Sequence, residues 1–194
     1  MKKIISLCVC NIIFLIALAA QTAPFSDWQK LEEKNRVIDK NAMYVLGSWA
    51  LLNMAYSGIS FNGSEGVTKS YHQMNIGWNA VNATLAGFAI FHAAAQPTDV
   101  ASVLDNHYGV QKIFLLNTGL DVAYMLGGAY LIERGKNATS TDKSDQFNGF
   151  GKSVIVNGAF LFALDLTTYL IHNAQNKNIK PLLESGKIGL SIHF

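Results

Sequence analysis

Four uncharged apolar stretches, each carrying a polar stripe, predict an all-α protein: a four-helix transmembrane bundle preceded by a signal peptide and a short interfacial helix. The stripes read Trp49, Asn53, Tyr56; Asn75, Asn79, Asn82; Asn117, Asp121, Tyr124; and Asp165, Tyr169, His172. Residues at i, i+4 and i+7 stand on one helical face, so each apolar helix turns its seam in one direction. Composition is the second observation. Half of the 194 residues are hydrophobic and only 14% are charged, against the usual quarter. The charges crowd into residues 27–40, 133–152 and 177–187, so the modest mean hydropathy of +0.20 conceals long uncharged runs. A bundle greasy outside and polar inside suits lipid, where amides and carboxyls must find partners on neighbouring helices. The competing reading, a secreted soluble bundle with amides in its core, leaves wide uncharged faces in water.

Residues 1–23 have the form of a secretory signal. Lys2 and Lys3 make the charged start, residues 4–18 the apolar core, and Ala17-Leu18-Ala19 or Gln21-Thr22-Ala23 a cleavage site. An uncleaved signal anchor is the alternative. Cys8 and Cys10 both lie in this segment, so a mature chain would have no thiol for disulfides, zinc or nucleophilic catalysis.

Residues 24–176 form the predicted membrane domain. Ser26 with Gln29 has the capping-box pattern and opens a surface helix whose Trp28, Leu31 and Ile38 share a side. The first span, 42–61, ends at the turn cluster Asn62-Gly63-Ser64-Glu65-Gly66, and the second is 71–95. Thr98 is the expected cap of a short interfacial helix over 98–107, with Val100, Val103, Leu104 and His107 on one face. The third span is 113–132, a polar and mobile loop occupies 133–148, and the fourth span is 151–173. Each run reaches the roughly 20 residues that cross a hydrocarbon core of about 30 Å. Residues 177–194 read as a polar tail ending in a short strand, where Ile188, Leu190, Ile192 and Phe194 alternate with polar or small residues.

A cleaved signal places the mature N-terminus outside the cytoplasm, with the C-terminus outside too. The count of Lys and Arg disagrees, since the inner loops hold only Lys69, Arg134, Lys136, Lys143 and Lys152. The export sequence carries more weight. A faint internal repeat pairs Leu52-Asn53-Met54-Ala55-Tyr56 with Leu120-Asp121-Val122-Ala123-Tyr124, and Asn79-Ala80 with Asn157-Gly158.

The strings His72-Gln73-Met74-Asn75 with Trp78-Asn79, Phe114-Leu115-Leu116-Asn117 with Gly119-Leu120-Asp121, and Gly158-Ala159-Phe160-Leu161 with Asp165 resemble an uncharacterised bacterial family of small four-span membrane proteins. The resemblance covers about residues 36–172. It implies a signal, four helices and residence in a bacterial cell membrane, with no assigned activity.

Asp121 and Asp165 are the sharpest candidate site. They fall near mid-span with Asn53 and Asn82 at equal depth, and apart from Lys152 at the very start of the fourth no Lys or Arg occurs in any span to offset them. They read either as a proton or cation site or as hydrogen-bonding glue between helices. His92, His107 and His172, with Asp39 and Asp105 at similar height, could make a metal site or a pH-sensitive ring, but none has a metal-motif spacing. His72 is expected to cap the second span, and its pairing with Ser57 is a remote catalytic reading. Gly119, Ala123 and Gly127 form a small-residue ridge for a neighbouring helix. Trp and Tyr near span ends read as an aromatic belt. Gly151-Lys152-Ser153 lacks the earlier glycine of a phosphate loop, with Gln146 in its place.

The net charge of +2 has no basic stripe, which argues against nucleic acid. The expectation is a non-enzymatic membrane component without cofactor, whose partners are lipid and a second copy or another membrane protein. Its role is read as structural or assembly; the alternative is a small proton-linked or cation-linked permeation or sensing protein using the midplane carboxylates.

Overall fold

A computed structural model describes residues 25–92 and 95–187. They form five helices and no strand: α1 Phe25–Phe61, α2 Gly66–Phe91, α3 Val100–Lys136, α4 Thr141–Ala174 and α5 Asn176–Lys187. The signal (1–23) and the predicted strand residues (188–194) lie outside the described residues.

Three of the predicted spans fall inside long helices and the second does so up to Phe91, short of its expected end at 95, while the surrounding segments differ from expectation. The surface helix and the first span are one unbroken α1, and the 98–107 helix is the first part of α3. Neither junction contains a proline to interrupt the hydrogen-bond ladder. Ser26 lies within the first turn of α1 and not ahead of it. The cap of α3 is Asp99, not Thr98: its carboxylate accepts from Ser102 N at 2.8 Å, and the Ser102 hydroxyl lies 3.3 Å from Asp99 N. At the other turn, extended Glu65 leads into Gly66, whose φ of +55° favours glycine.

The expected mobile loop 133–148 is almost entirely helical, leaving only 137–140 as the connection. Lys136 pairs with Glu133 at 2.7 Å, Asn148 Nδ2 donates to Ser144 O at 2.8 Å, and Gly135 admits the Asn148 side chain. Low hydrophobicity there marks the solvated ends of two packed helices. The tail is likewise helical from 176 to 187, because Ile179 and Leu182 dock onto Trp28, Leu31 and Val103.

α4 is the central helix. It packs along α3 and α2 and touches α1, while α1 packs along α2; α2 and α3 share no comparable interface. The predicted ridge at Gly119, Ala123 and Gly127 faces away from its neighbours: a Cβ at Gly119 or Gly127 would meet nothing, and Ala123 is exposed. The close approach uses the next face. A Cβ on Gly128 would lie 2.7 Å from Gly151 O, and one on Gly151 would collide with Gly128 O. Gly149 performs the same service for α2, where a Cβ would come within 2.5 Å of Val67 O.

Two kinds of interior result. Where α1, α3 and α5 meet, Trp28, Leu31, Val103 and Ile179 make an ordinary hydrophobic cap, with Glu32 buried at its edge. In the bundle the pattern inverts: Asn75, Asn79, Asn157, Ser57 and Ser153 are fully buried, while Leu52, Ile59, Phe88, Phe91 and Leu126 are more than 60% exposed. Val100–Lys136 and Thr141–Glu184 are apolar and long enough to cross a membrane. The other two predicted spans fall short of that hydropathy, as α1 and α2 contribute Asn53, Ser57, His72, Gln73, Asn75, Asn79 and Asn82.

Candidate functional site

The polar stripes separate into two sites. The first is a closed seam where α1, α2 and α4 meet. Asn157 Oδ1 accepts from Trp49 Nε1 at 3.2 Å and from Asn79 Nδ2 at 2.9 Å, while its Nδ2 donates to Asn75 Oδ1 at 2.7 Å and Ser153 O at 2.9 Å. Asn75 Nδ2 in turn reaches Ser57 Oγ at 2.8 Å and Asn53 Oδ1 at 3.2 Å. The Trp49 ring stacks on Phe160 at 4.0 Å, sealing one side. Asparagine brings both donor and acceptor, so a ladder of amides satisfies nearly all of its own groups, with Asn79 Oδ1 left without a partner among the described residues.

His72 belongs to this seam and is not a cap: it is buried, with Nδ1 3.1 Å from Ser57 Oγ. The Ser57 hydroxyl is wholly buried and already accepts from Asn75, so the pair has no room for an acyl substrate. Asn157 is the seam's hub, noticed in the sequence only as an echo of Asn79. The available signal was the four-residue step Ser153, Asn157, Leu161, Asp165, which carries the α4 stripe two turns further back.

The second site is an open cleft. A cavity of about 660 Å³ lies between α2 and α3, the two helices that do not pack, with α1 and α4 behind it. Asp121, Asp165, Asn82 and Asn117 face it among apolar and aromatic walls that include Leu85, Phe114 and Trp78. Asp121 and Asp165 both border the cavity, which brings two carboxyls to one site. Asn53, expected beside them, lies elsewhere: its amide bonds Trp49 O at 2.9 Å and meets Asn75. Trp78 meets Tyr124 edge to face at 5.1 Å, bridging the cleft.

Three buried polar atoms on this lining have no partner among the described residues: Trp78 Nε1, Asn82 Nδ2 and Asp121 Oδ2. Asp121 is 2% exposed and Asn82 6%. Buried polar groups are nearly always paired, so two free donors and a free acceptor converging on one cavity are a concentrated exception.

Of the predicted tyrosines, Tyr124 lines the cleft while Tyr56 and Tyr169 enter neither interior. Tyr56 is 59% exposed and Tyr124 40%, and Tyr169 borders a separate shallow hollow with Asp105, Tyr108 and Lys112. The inward places of Tyr56 and Tyr169 are taken by neighbours one position away, Ser57 on α1 and Thr168 on α4. With 3.6 residues per turn, i+3 and i+4 flank the same line, and the smaller side chain takes the inner position.

The histidines do not assemble. His172 Nε2 pairs with Asp39 at 2.7 Å, His107 sits in the cap between Asn35 Nδ2 at 2.9 Å and Asn176 Oδ1 at 2.7 Å, and exposed His92 stacks on Phe88 of its own helix. Among the described residues no three His, Cys, Asp or Glu side chains gather where they could hold a metal ion.

Residues 45–166 match the profile of a family described as a family of unknown function, DUF6992. No curated protein and no solved structure matches the chain.

Proposed function

We propose that this chain, which belongs to the DUF6992 family of unknown function, is a non-catalytic, multi-pass membrane protein that binds a small molecule in the α2/α3 cleft, for sensing or permeation. The observation that carries the reading is the contrast in pairing. Asn157 and Asn75 use both amide atoms within the seam, where Asn79 Oδ1 is the one unpaired atom among the described residues, whereas the cleft lining gathers three such atoms, on Trp78, Asn82 and Asp121. A concave, mostly apolar hollow with a few convergent polar groups is the usual form of a small-molecule site, and its volume lies in the usual range of roughly 300–1,000 Å³.

Membrane residence is supported by the inverted interior and by the two apolar helices. α1 and α2 join the membrane layer in this reading because Leu51, Leu52, Ile59, Val81, Leu85 and Phe91 project outwards from them. Lipid then covers the apolar faces, the cap stands outside the cytoplasm, and the seam is structural glue. The structural half of the sequence expectation is thus retained for the seam and the binding half assigned to Asp121 and Asp165.

Two measurements test this. The chain should resist carbonate and high-salt extraction and leave the membrane only with detergent; recovery in the soluble fraction would overturn the architecture. Native mass spectrometry of the gently solubilised protein should show a small molecule that is absent from the folded Asp121→Asn/Asp165→Asn double variant. Identical spectra for the two proteins would assign the whole stripe to structure.

A further inference from the structure

The geometry points to a lipophilic amino alcohol as the occupant of the cleft, with its ammonium at Asp121 and Asp165, its hydroxyl oxygen at Trp78 and Asn82, and its apolar body along the remaining wall. This inference rests on the reading of the cleft as a binding site.

Charge comes first. The cleft is lined by two carboxyls and by no basic side chain among the described residues. Two carboxyls at one mostly apolar cavity disfavour each other's ionisation, so the pair resists carrying more than one negative charge, which a single ammonium neutralises. A fatty acid or phosphate would add a second anion to a site with no cation. A calcium or magnesium ion wants six or more oxygens, which two carboxyls and two amides amid hydrocarbon do not supply, and a zinc ion would want His or Cys, which the lining lacks. Trp78 and Tyr124 add aromatic surface, which favours an organic cation.

Hydrogen bonding narrows the class. Asp121 Oδ2 needs a donor, while Trp78 Nε1 and Asn82 Nδ2 both need an acceptor. A bare amine satisfies only the first, and a neutral alcohol leaves the carboxylate without a countercharge in a low-dielectric site. An ammonium with a hydroxyl close by meets both requirements. The route fits the same class, since α2 and α3 do not pack and the cleft opens sideways, where lipid would lie, so a molecule with an alkyl body can enter from the bilayer.

The test uses the full chain in lipid nanodiscs with four probes of equal chain length: a dodecyl amino alcohol, dodecylamine, dodecanol and dodecanoic acid. Binding is followed by thermal stability and native mass spectrometry, with Asp121→Asn/Asp165→Asn as the control for simple partitioning into the bilayer. The amino alcohol should bind at least about tenfold more tightly than dodecylamine, and that more tightly than dodecanol. The double variant should abolish the preference. In Trp78→Phe/Asn82→Leu the amino alcohol and the amine should become equal, which separates the hydroxyl contact from the charge contact. Equal binding of dodecanol and the amino alcohol to wild type overturns this inference while leaving a binding cleft. Specific stabilisation by calcium or sodium chloride alone also overturns it, in favour of an inorganic cation. If no probe binds and no copurifying molecule is found, the binding reading itself fails.

Discussion

The asparagine seam and the acid cleft come from the same kind of stripe, yet one is closed and the other open. In the seam, α1, α2 and α4 are in contact, and amides of matched length meet across them. In the cleft, the stripes of α2 and α3 face each other across a gap, and their polar atoms stay unpaired. A polar stripe on an apolar helix therefore says that something polar must be met there, and helix packing decides whether the partner is protein or ligand.

The sharpest way to break this contrast is at the hub. Asn157→Leu strands Trp49 Nε1 and removes the interhelical bonds to Asn79 Nδ2 and Asn75 Oδ1, which keep only their bonds within α2. At ~0.6 kcal/mol per interhelical bond at the low end and ~1–3 kcal/mol for an orphaned buried group, the loss should be about 2 kcal/mol or more. Thermal unfolding in detergent measures it, and a neutral result would mean that the seam is not the glue described.

Next is the helix weld that holds the seam in register. Gly128→Ala places a methyl against Gly151 O and the Ile155 side chain and should cost about 1–3 kcal/mol. Gly119→Ala, on the open side of the same helix, should instead stabilise by up to ~1 kcal/mol through helix propensity. Reversed signs in the same unfolding assay would place the weld on the predicted ridge after all.

Smaller again is Asp121→Asn, which keeps size and hydrogen-bonding capacity. Stability should move by less than about 0.5 kcal/mol while ligand binding disappears. A change as large as that of Asn157→Leu would merge the cleft with the seam.

The last prediction concerns the cap, outside the bundle. Burial raises the Glu32 carboxyl above its ordinary range, against hydrogen bonding from Asn106 and attraction from Arg36, which lower it. In the unfolded chain the group ionises at its ordinary pKa of 4.5, so folding loses stability as pH rises from that value through the raised folded one. Glu32→Gln should therefore stabilise the cap at neutral pH and make little difference at pH well below 4.5, as read by hydrogen exchange in residues 28–35. A benefit that is constant with pH would assign the effect to packing.

Much of the fold was legible because a 3.6-residue period in uncharged runs has few other meanings. The helix ends were not. Residues 133–148 and 177–187 are polar in composition, and only contacts such as Gly135 with Asn148 and Ile179 with Trp28 make them helical. Asp121, Asp165 and Asn82 were legible as a site, since charge and amides without a countercharge stand out in apolar spans. The sequence marks Asn157 only through its likeness to Asn79, points Tyr56 and Tyr169 inwards, and puts the glycine ridge one face away from the real contact. All these errors share a cause. A lone sequence fixes the side of a helix to within about a residue, whereas neighbouring positions differ in which helix they meet, and that is settled by how closely backbones approach.

The glycine at 149 has a mechanical consequence. It brings the start of α2 into backbone contact with α4 at Val67 and Ser70, while the far end of α2, at Phe88 and Phe91, has exposed rings and borders the cleft's apolar wall. α3 cannot yield easily, being locked to α4 through Gly128 and Gly151. Widening the cleft then requires α2 to swing about its Gly149 end like the arm of a caliper, with a displacement that grows towards Phe91. Spin labels at positions 91 and 115 should separate more on ligand entry than labels placed beside the pivot, at 68 and 132.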